Sequence, residues 1–399
     1  MNLSQKVLQL ADSYYADVIG IRNHLHRFPE LSFEEFSTSA YIQEQLKLLE
    51  VPFQTGFVKT GIIGRIEGIH PGKRIIALRA DMDALPLTEK NDIPYRSENP
   101  GRMHACGHDL HMAALLGAAR ILQTLRKEFE GTVLLVFQPG EEKLPGGANR
   151  MLAEGAFKDQ TPHLIIAQHV MPGLPTGTLG YRSGIYMASS DEIYITVKGK
   201  GGHAAVPHQL VDPVLIAAHI IVALQQIISR NANAAIPSVL SFGRVEAAGA
   251  VNVIPSEVKI EGTFRTMNEA WRNEAHEKIR SLVRSIVEGM GGSCELEILN
   301  GYPVLENHPW FTAKAAEYSR QLVGDDHVTE LEMRMTSEDF AYYSQHFPAI
   351  FYRFGITDPE DRYASALHSS TFMADERALF TAMSNISWLA LSFLNEAGT

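Results

Sequence analysis

The sequence predicts an α/β protein: a mainly parallel sheet flanked by helices, interrupted by an inserted α+β antiparallel lid domain. Three observations predict it. The runs 74–78, 132–137 and 163–167 are almost continuously apolar and branched, as suits strands covered by helices on both faces. From about residue 180 to 299 the strands instead alternate polar with apolar residues, as in 192–197 and 258–264, with helical runs at about 213–229 and 269–288. Beyond Tyr302 helical patterns return with a short apolar strand, 350–354, that resembles the first part. The expected organisation is a first domain in two parts, 1–179 and 301–399, around an inserted domain of residues 180–300.

Taken in order, the chain opens with a helix carrying Val7, Leu10, Tyr14, Val18, Ile21 and Leu25 on one face. It stops at Phe28-Pro29, because the residue before proline is pushed out of the helical region. A second helix runs through Leu46 to Leu49, and a strand follows at 61–66. The three apolar strands each end in polar residues: 79–83, 138–142, and Gln168 with His169. Ligand groups in open α/β sheets collect at the carboxyl ends of strands, so these endings are expected to share one crevice. A helix from about Asp109 to Leu125 places Leu110, Ala113, Ala114, Gly117, Ala118 and Ile121 on one face. Its start adjoins the densest chemistry in the chain, Met103-His-Ala-Cys-Gly-His-Asp-Leu-His111, with three imidazoles and one thiol. That crowding suggests a metal site, because a helix amino terminus favours a bound thiolate and the glycine permits a sharp turn.

Composition narrows the function. With 399 residues, 45% of them hydrophobic, the chain can bury a full core and suits two domains better than one. A net charge of −11 without a basic stripe excludes an electrostatic nucleic-acid binder. No basic start followed by an apolar core marks a secretory leader in residues 1–20. The apolar run around 214–224 contains His219 and falls short of the roughly 20 residues of a membrane span. Two cysteines, Cys106 and Cys294, are too few for a disulfide framework. A soluble cytoplasmic protein, with neither nucleic-acid nor membrane partners, is the expectation.

Six motifs in order, 79–86 (Arg-Ala-Asp-Met-Asp-Ala-Leu-Pro), 103–109, 137–142 (Phe-Gln-Pro-Gly-Glu-Glu), 201–205 (Gly-Gly-His-Ala-Ala), 337–340 (Ser-Glu-Asp-Phe) and 367–369 (Leu-His-Ser), resemble the M20 metallopeptidase family. The nearest branch in resemblance is the amidohydrolases of N-acyl amino acids, including hippurate hydrolases and auxin-conjugate hydrolases. The likeness spans both terminal helices and implies a zinc-exopeptidase-like sheet. One departure is Gly140, where the family usually carries alanine; as both are small, the motif is expected to tolerate either.

The resemblance implies a site with two divalent transition-metal ions per subunit: zinc, manganese, cobalt or nickel. A two-metal hydrolase needs a bridging ligand, further ligands for each ion and an open position for water. The likeness assigns the bridge to Cys106, one ion to His108 and His169, and the other to Glu142 and His368; sulfur, imidazole and carboxylate suit any of these metals. Glu141 is then the general base. Asp81 and Asp83 are expected behind the ligands, fixing a ligand imidazole. His111, one turn from His108, reads as packing, and His24, His26, His104 and His163 as structural. The resemblance gives His203 a hydrogen bond to the oxyanion, in many relatives from a partner subunit's lid. Asn252 and Arg265 are candidates for the substrate carboxylate, Arg being its natural fork. Asp339, three residues after Thr336, reads as a helix cap.

The expected activity is hydrolysis of the amide bond of a small N-acyl amino acid or peptide-like substrate. A cysteine hydrolase using Cys106 and a non-catalytic amino-acid- or peptide-binding protein are the alternatives. A homodimer through the lid is expected, because the run from Pro213 is apolar nearly all round and the strand 238–242 offers an edge for pairing.

Overall fold

The computed structural model describes residues 1–358, 360 and 365–396. The chain divides into two compact units. One comprises Met1–Gly184, Glu306–Glu332 and Asp339–Thr399; the other comprises Ile185–Leu305 and Met333–Glu338.

The first unit is built on an eight-stranded sheet. Its strand order is Phe53–Phe57, Gly61–Glu67, Thr132–Gln138, Ile75–Asp81, Leu164–Pro175, Ala349–Thr357, Leu179–Tyr181 and Val328–Glu330. The four central strands are mutually parallel, with Ala77 paired to both Leu134 and Ile165, and Ala349 to Ile165. Antiparallel pairing enters on either side, through Gly61–Glu67 and through Leu179–Tyr181. The central strand Thr132–Gln138 is buried along its whole length, as its unbroken apolar sequence requires. Helices Leu3–Arg27, His108–Thr124 and Ala378–Asn395 pack on one another and share the core of Val18, Leu110, Ala114, Met383 and Leu389. Helix Leu3–Arg27 opens with a capping box between Asn2 and Gln5, and helix Ala378–Asn395 is buried almost throughout.

The inserted unit holds a four-stranded antiparallel sheet in the order Ser238–Glu246, Glu257–Thr266, Asp191–Lys198 and Ser293–Asn300. Strand Asp191–Lys198 alternates strictly between buried and partly exposed residues, and its buried Ile193, Ile195 and Val197 meet helices Pro213–Gln226 and Glu269–Gly289. Asp212 caps the first of these helices and Asn268 the second. The first continues into a π turn, Ile227–Asn231, so by length and composition it reaches the span of a bilayer, which the run of apolar letters alone does not suggest. Its outer face leaves Val214, Leu215 and Val222 exposed, and strand Ser238–Glu246 is a sheet edge. The fold class is therefore the one the hydrophobic patterns predict.

Candidate active site

Strand ends of the first unit deliver most of the chemistry. Ile75–Asp81 ends at Asp81, Thr132–Gln138 leads into Glu141 and Glu142, and Leu164–Pro175 carries His169. The cysteine loop is pinned by paired main-chain bonds between Leu85 and Met103, each 3.0 Å. It turns at Gly107, whose φ of +84° and contact with Val170, 2.6 Å from where a Cβ would sit, admit no side chain. Helix His108–Thr124 starts immediately after. His368 comes from a distant segment, also with a positive φ of +61°, and its main-chain N–H donates to Ala105 O at 2.8 Å.

These elements bring Cys106, His108, Glu141, Glu142, His169 and His368 together. Candidate ligand atoms form one triple from Cys106, His108 and His169 and another from Cys106, Glu142 and His368. The two triples meet at the Cys106 sulfur, which lies 3.5 Å from His169 Nε2. His108 Nδ1 donates to the main-chain oxygen of Asp83 at 2.8 Å, which leaves Nε2 pointing inward. That Nε2 is buried without a hydrogen-bond partner, 3.9 Å from Glu142 Oε1, and Glu142 Oε1 in turn lies 3.2 Å from His368 Nε2. Buried polar atoms are ordinarily satisfied, so an acceptor nitrogen and a carboxylate oxygen left facing each other fit a cation between them.

The electrostatics show a surplus of buried negative charge. Burial alone would lower His108, yet Asp81 and Asp83 outweigh it and push the imidazole up to about 10. Burial, followed by the charges of Glu142, Glu141 and Asp81, raises the Cys106 thiol well above its usual range. Burial, with Arg353 and His111 nearby, drives His169 well below 6.5, so its ring is neutral and can act as a ligand. So many buried carboxylates around one thiol call for added positive charge.

Asp81 and Asp83 both lie against histidine rings. Asp81 Oδ1 accepts from His111 Nδ1 at 2.6 Å, so it fixes His111, and His111 Nε2 in turn accepts from Val170 N–H at 2.9 Å. With both nitrogens engaged, His111 is a structural strut. The Asp83 main chain orients His108, while its carboxylate accepts the main-chain N–H groups of Glu141 (3.0 Å) and Glu142 (2.9 Å) and the Ser32 hydroxyl. The Asp339 carboxylate accepts from Arg79, Gln138 and the Ala148 N–H in the first turn of helix Gly147–Ala153. Of the remaining histidines, His26 bonds Asp109, His163 accepts from Ile75 N–H, His24 stacks on Tyr41 and His104 is buried.

The motif reading passes over Glu35. It is fully buried, accepts from Phe33 N–H, Gly140 N–H and the Thr60 hydroxyl, and is raised to about 7 by burial and then by Asp83. Three consecutive amides, 140 to 142, therefore rest on two buried carboxylates. Gly140 is also less neutral than its size suggests: at φ +62°, a Cβ there would lie 2.3 Å from the Phe33 ring. The only signal for Glu35 was an acidic residue beside an apolar helix start.

The other site candidates belong to the inserted unit. His203 and Asn252 are exposed neighbours: His203 pairs with Val253, and Asn252 O accepts from Ala204 N–H at 3.0 Å. Arg265, on strand Glu257–Thr266, reaches Ser337 Oγ at 3.2 Å and Met335 O at 3.4 Å.

Two triples of sulfur, imidazole and carboxylate donors sharing one corner, at the strand ends of an α/β sheet, define a hydrolase-type centre for a pair of metal ions. Residues 77–384 match the peptidase family M20/M25/M40, and this chain belongs to that family. It is 37% identical over 387 residues to the N-acetylcysteine deacetylase of Bacillus subtilis, covering 96% of this chain and 98% of the relative. A protein of methicillin-resistant Staphylococcus aureus, to which an aminohydrolase activity is ascribed, superposes with a TM-score of 0.91 at 33% identity, covering 98% of this chain and all of that one. The YxeP protein of Bacillus subtilis, described as a dinuclear metal binding peptidase of the M20 family, superposes with a TM-score of 0.83 at 34% identity, over 97% of this chain and all of that one.

Proposed function

We propose that the protein hydrolyses the amide bond of small N-acyl amino acids, placing it in the amidohydrolase branch of its family. The observation that carries this reading is the inward-facing His108 Nε2 and Glu142 Oε1 beside Cys106. In it, Cys106, His108 and His169 would hold one divalent transition-metal ion, and Cys106, Glu142 and His368 would hold the other. Bound there, the cations would polarise the amide carbonyl and make a water acidic. Glu141 takes the proton of that water as its oxygen adds to the carbonyl carbon. It then passes the proton to the nitrogen as the C–N bond breaks, releasing a carboxylic acid and a free amino acid. His203 donates to the oxyanion, Asn252 and Arg265 hold the substrate carboxylate, and the inserted unit pairs two subunits in the cytoplasm. The deacetylase activity named for the Bacillus subtilis relative supports this substrate class.

The 3.5 Å approach of Cys106 to His169 also fits a cysteine nucleophile. Burial, then Glu142, Glu141 and Asp81, disfavour a thiolate without added positive charge, which bound cations would supply and a metal-free cysteine enzyme would lack. Chelation decides between the two. Protein stripped of metal, verified by elemental analysis, is expected to lose hydrolysis of acetyl-, benzoyl- and longer acyl-amino acids. Zinc, manganese, cobalt or nickel should restore it, and the same panel reports the acyl preference. Full activity in metal-free protein overturns the metal reading.

A further inference from the structure

We propose that Arg79 and Asp339 are positioning residues for the hydrolysis, joining the Glu141 carboxylate and the His169 ring to one buried ionic hub; this rests on the reading of Glu141 as the base. Arg79 is 1% exposed. Its Nη1 donates to Asp81 Oδ2 at 2.7 Å, its Nη2 to Asp339 Oδ1 at 2.8 Å, and its Nε to Gln138 Oε1 at 2.9 Å. Gln138 closes the triangle, its Nε2 donating to both Asp339 oxygens at 2.9 and 2.8 Å.

Two arms leave this hub. On one side Asp81 accepts from His111 Nδ1, His111 Nε2 accepts from Val170 N–H, and Val170 O accepts from His169 Nδ1 at 2.8 Å. That last bond fixes the tautomer which points His169 Nε2 at Cys106. On the other side the Asp339 main-chain N–H donates to Glu141 Oε1 at 3.4 Å. Ala148 N–H donates to the Asp339 carboxylate at 2.9 Å, which anchors the residue that carries this N–H. A planar guanidinium holds two carboxylates and an amide in fixed directions at once, where a lysine ammonium offers no rigid fork. A general base must be placed within a fraction of an ångström, and a misplacement of about 1 Å costs on the order of a hundredfold. Neither residue touches the substrate in this assignment; both act through Glu141 and His169.

The test is a double-mutant cycle on metal-replete protein. Asp339→Asn keeps the shape and the main-chain N–H but breaks the charge-assisted triangle. Its kcat is expected to fall about thirtyfold, with KM within about threefold and two metals per chain retained by elemental analysis. On a Glu141→Gln background the same change should add little, because the group it positions is gone. Should Asp339→Asn fail to fold, Gln138→Met removes the clamp on Asp339 and is put through the same cycle. Two results overturn the proposal: an unchanged kcat in Asp339→Asn, or a loss of equal size on both backgrounds. Failure of the underlying reading looks different, since Glu141→Gln would itself then be active.

Discussion

Replacing Gly140 with alanine tests whether the loop carrying Glu141 and Glu142 is seated as tightly as its contacts indicate. Two costs add. A non-glycine residue at φ +62° spends about 1–2 kcal/mol on the left-handed conformation. The new methyl would also stand 2.3, 2.6 and 2.7 Å from three Phe33 ring atoms, whereas comfortable carbon contacts lie near about 3.5–4.0 Å. The ring must therefore retreat by about 1 Å. Phe33 has little freedom to do so: its own φ is +68°, its N–H is held by Glu35 at 2.8 Å, and the Arg150 guanidinium lies 4.5 Å from its ring centroid. Overpacking of this kind costs about 1–3 kcal/mol, so Gly140→Ala should lose roughly 3 kcal/mol of stability. Urea unfolding followed by tryptophan fluorescence measures it, in the parent and in a Phe33→Ala background. In that background the penalty should shrink to the conformational part, a coupling of about 1–2 kcal/mol. A penalty under about 0.5 kcal/mol in the parent, or an equal penalty in both backgrounds, would refute the steric argument.

Three further outcomes are expected. Glu141→Gln should keep its metal but lose turnover by about a hundredfold or more, whereas Glu142→Gln should lose metal; elemental analysis beside kinetics checks this, and the reverse pattern exchanges the two roles. Asp191 is buried, yet His276 and Arg272 hold its carboxyl below 3.8 against the effect of burial, so its contribution is present above pH 3.8 and lost as the pH falls through the lower folded value. The deficit of Asp191→Asn, about 3 kcal/mol at pH 7, should therefore narrow in urea titrations below pH 3.8, and a gap that stays constant contradicts the assignment. If His203 serves a neighbouring subunit, mixing His203→Ala with Glu141→Gln protein should restore activity; no recovery after verified subunit exchange confines it to its own chain.

The metal-type cluster is largely legible in the sequence, because Cys106, His108, Glu141 and Glu142 sit in short motifs whose composition is unusual for packing residues. The sheet is legible for a related reason, since the runs around Leu134 and Ile165 are apolar on both faces. What lies behind the cluster is not. Glu35 meets Gly140, and Arg79 meets Asp339, across separations where no periodicity operates, and a buried carboxylate is written with the same letter as an exposed one. His111 keeps the packing role expected of it: its spacing from His108 would suit a ligand, but Asp81 and the Val170 N–H occupy both ring nitrogens. The inertness expected of Gly140 fails because residue size predicts neither a positive φ nor the position of Phe33.

The strand Ala349–Thr357 runs parallel to Leu164–Pro175 on one side and antiparallel to Leu179–Tyr181 on the other, so it fills a slot whose two walls are made much earlier in synthesis. On a ribosome adding ~5–20 residues per second, those walls wait roughly ten to forty seconds for their missing neighbour. Throughout that interval the edge carrying Ile165, Ile166 and Ala167 has no strand to pair with, while the sheet of the inserted unit, contiguous in sequence, can close by itself. Nascent chains of this protein therefore carry an unpaired sheet edge throughout synthesis of the inserted segment, the kind of edge a holdase chaperone would engage. Any truncation upstream of Ala349 would leave that edge permanently unpaired.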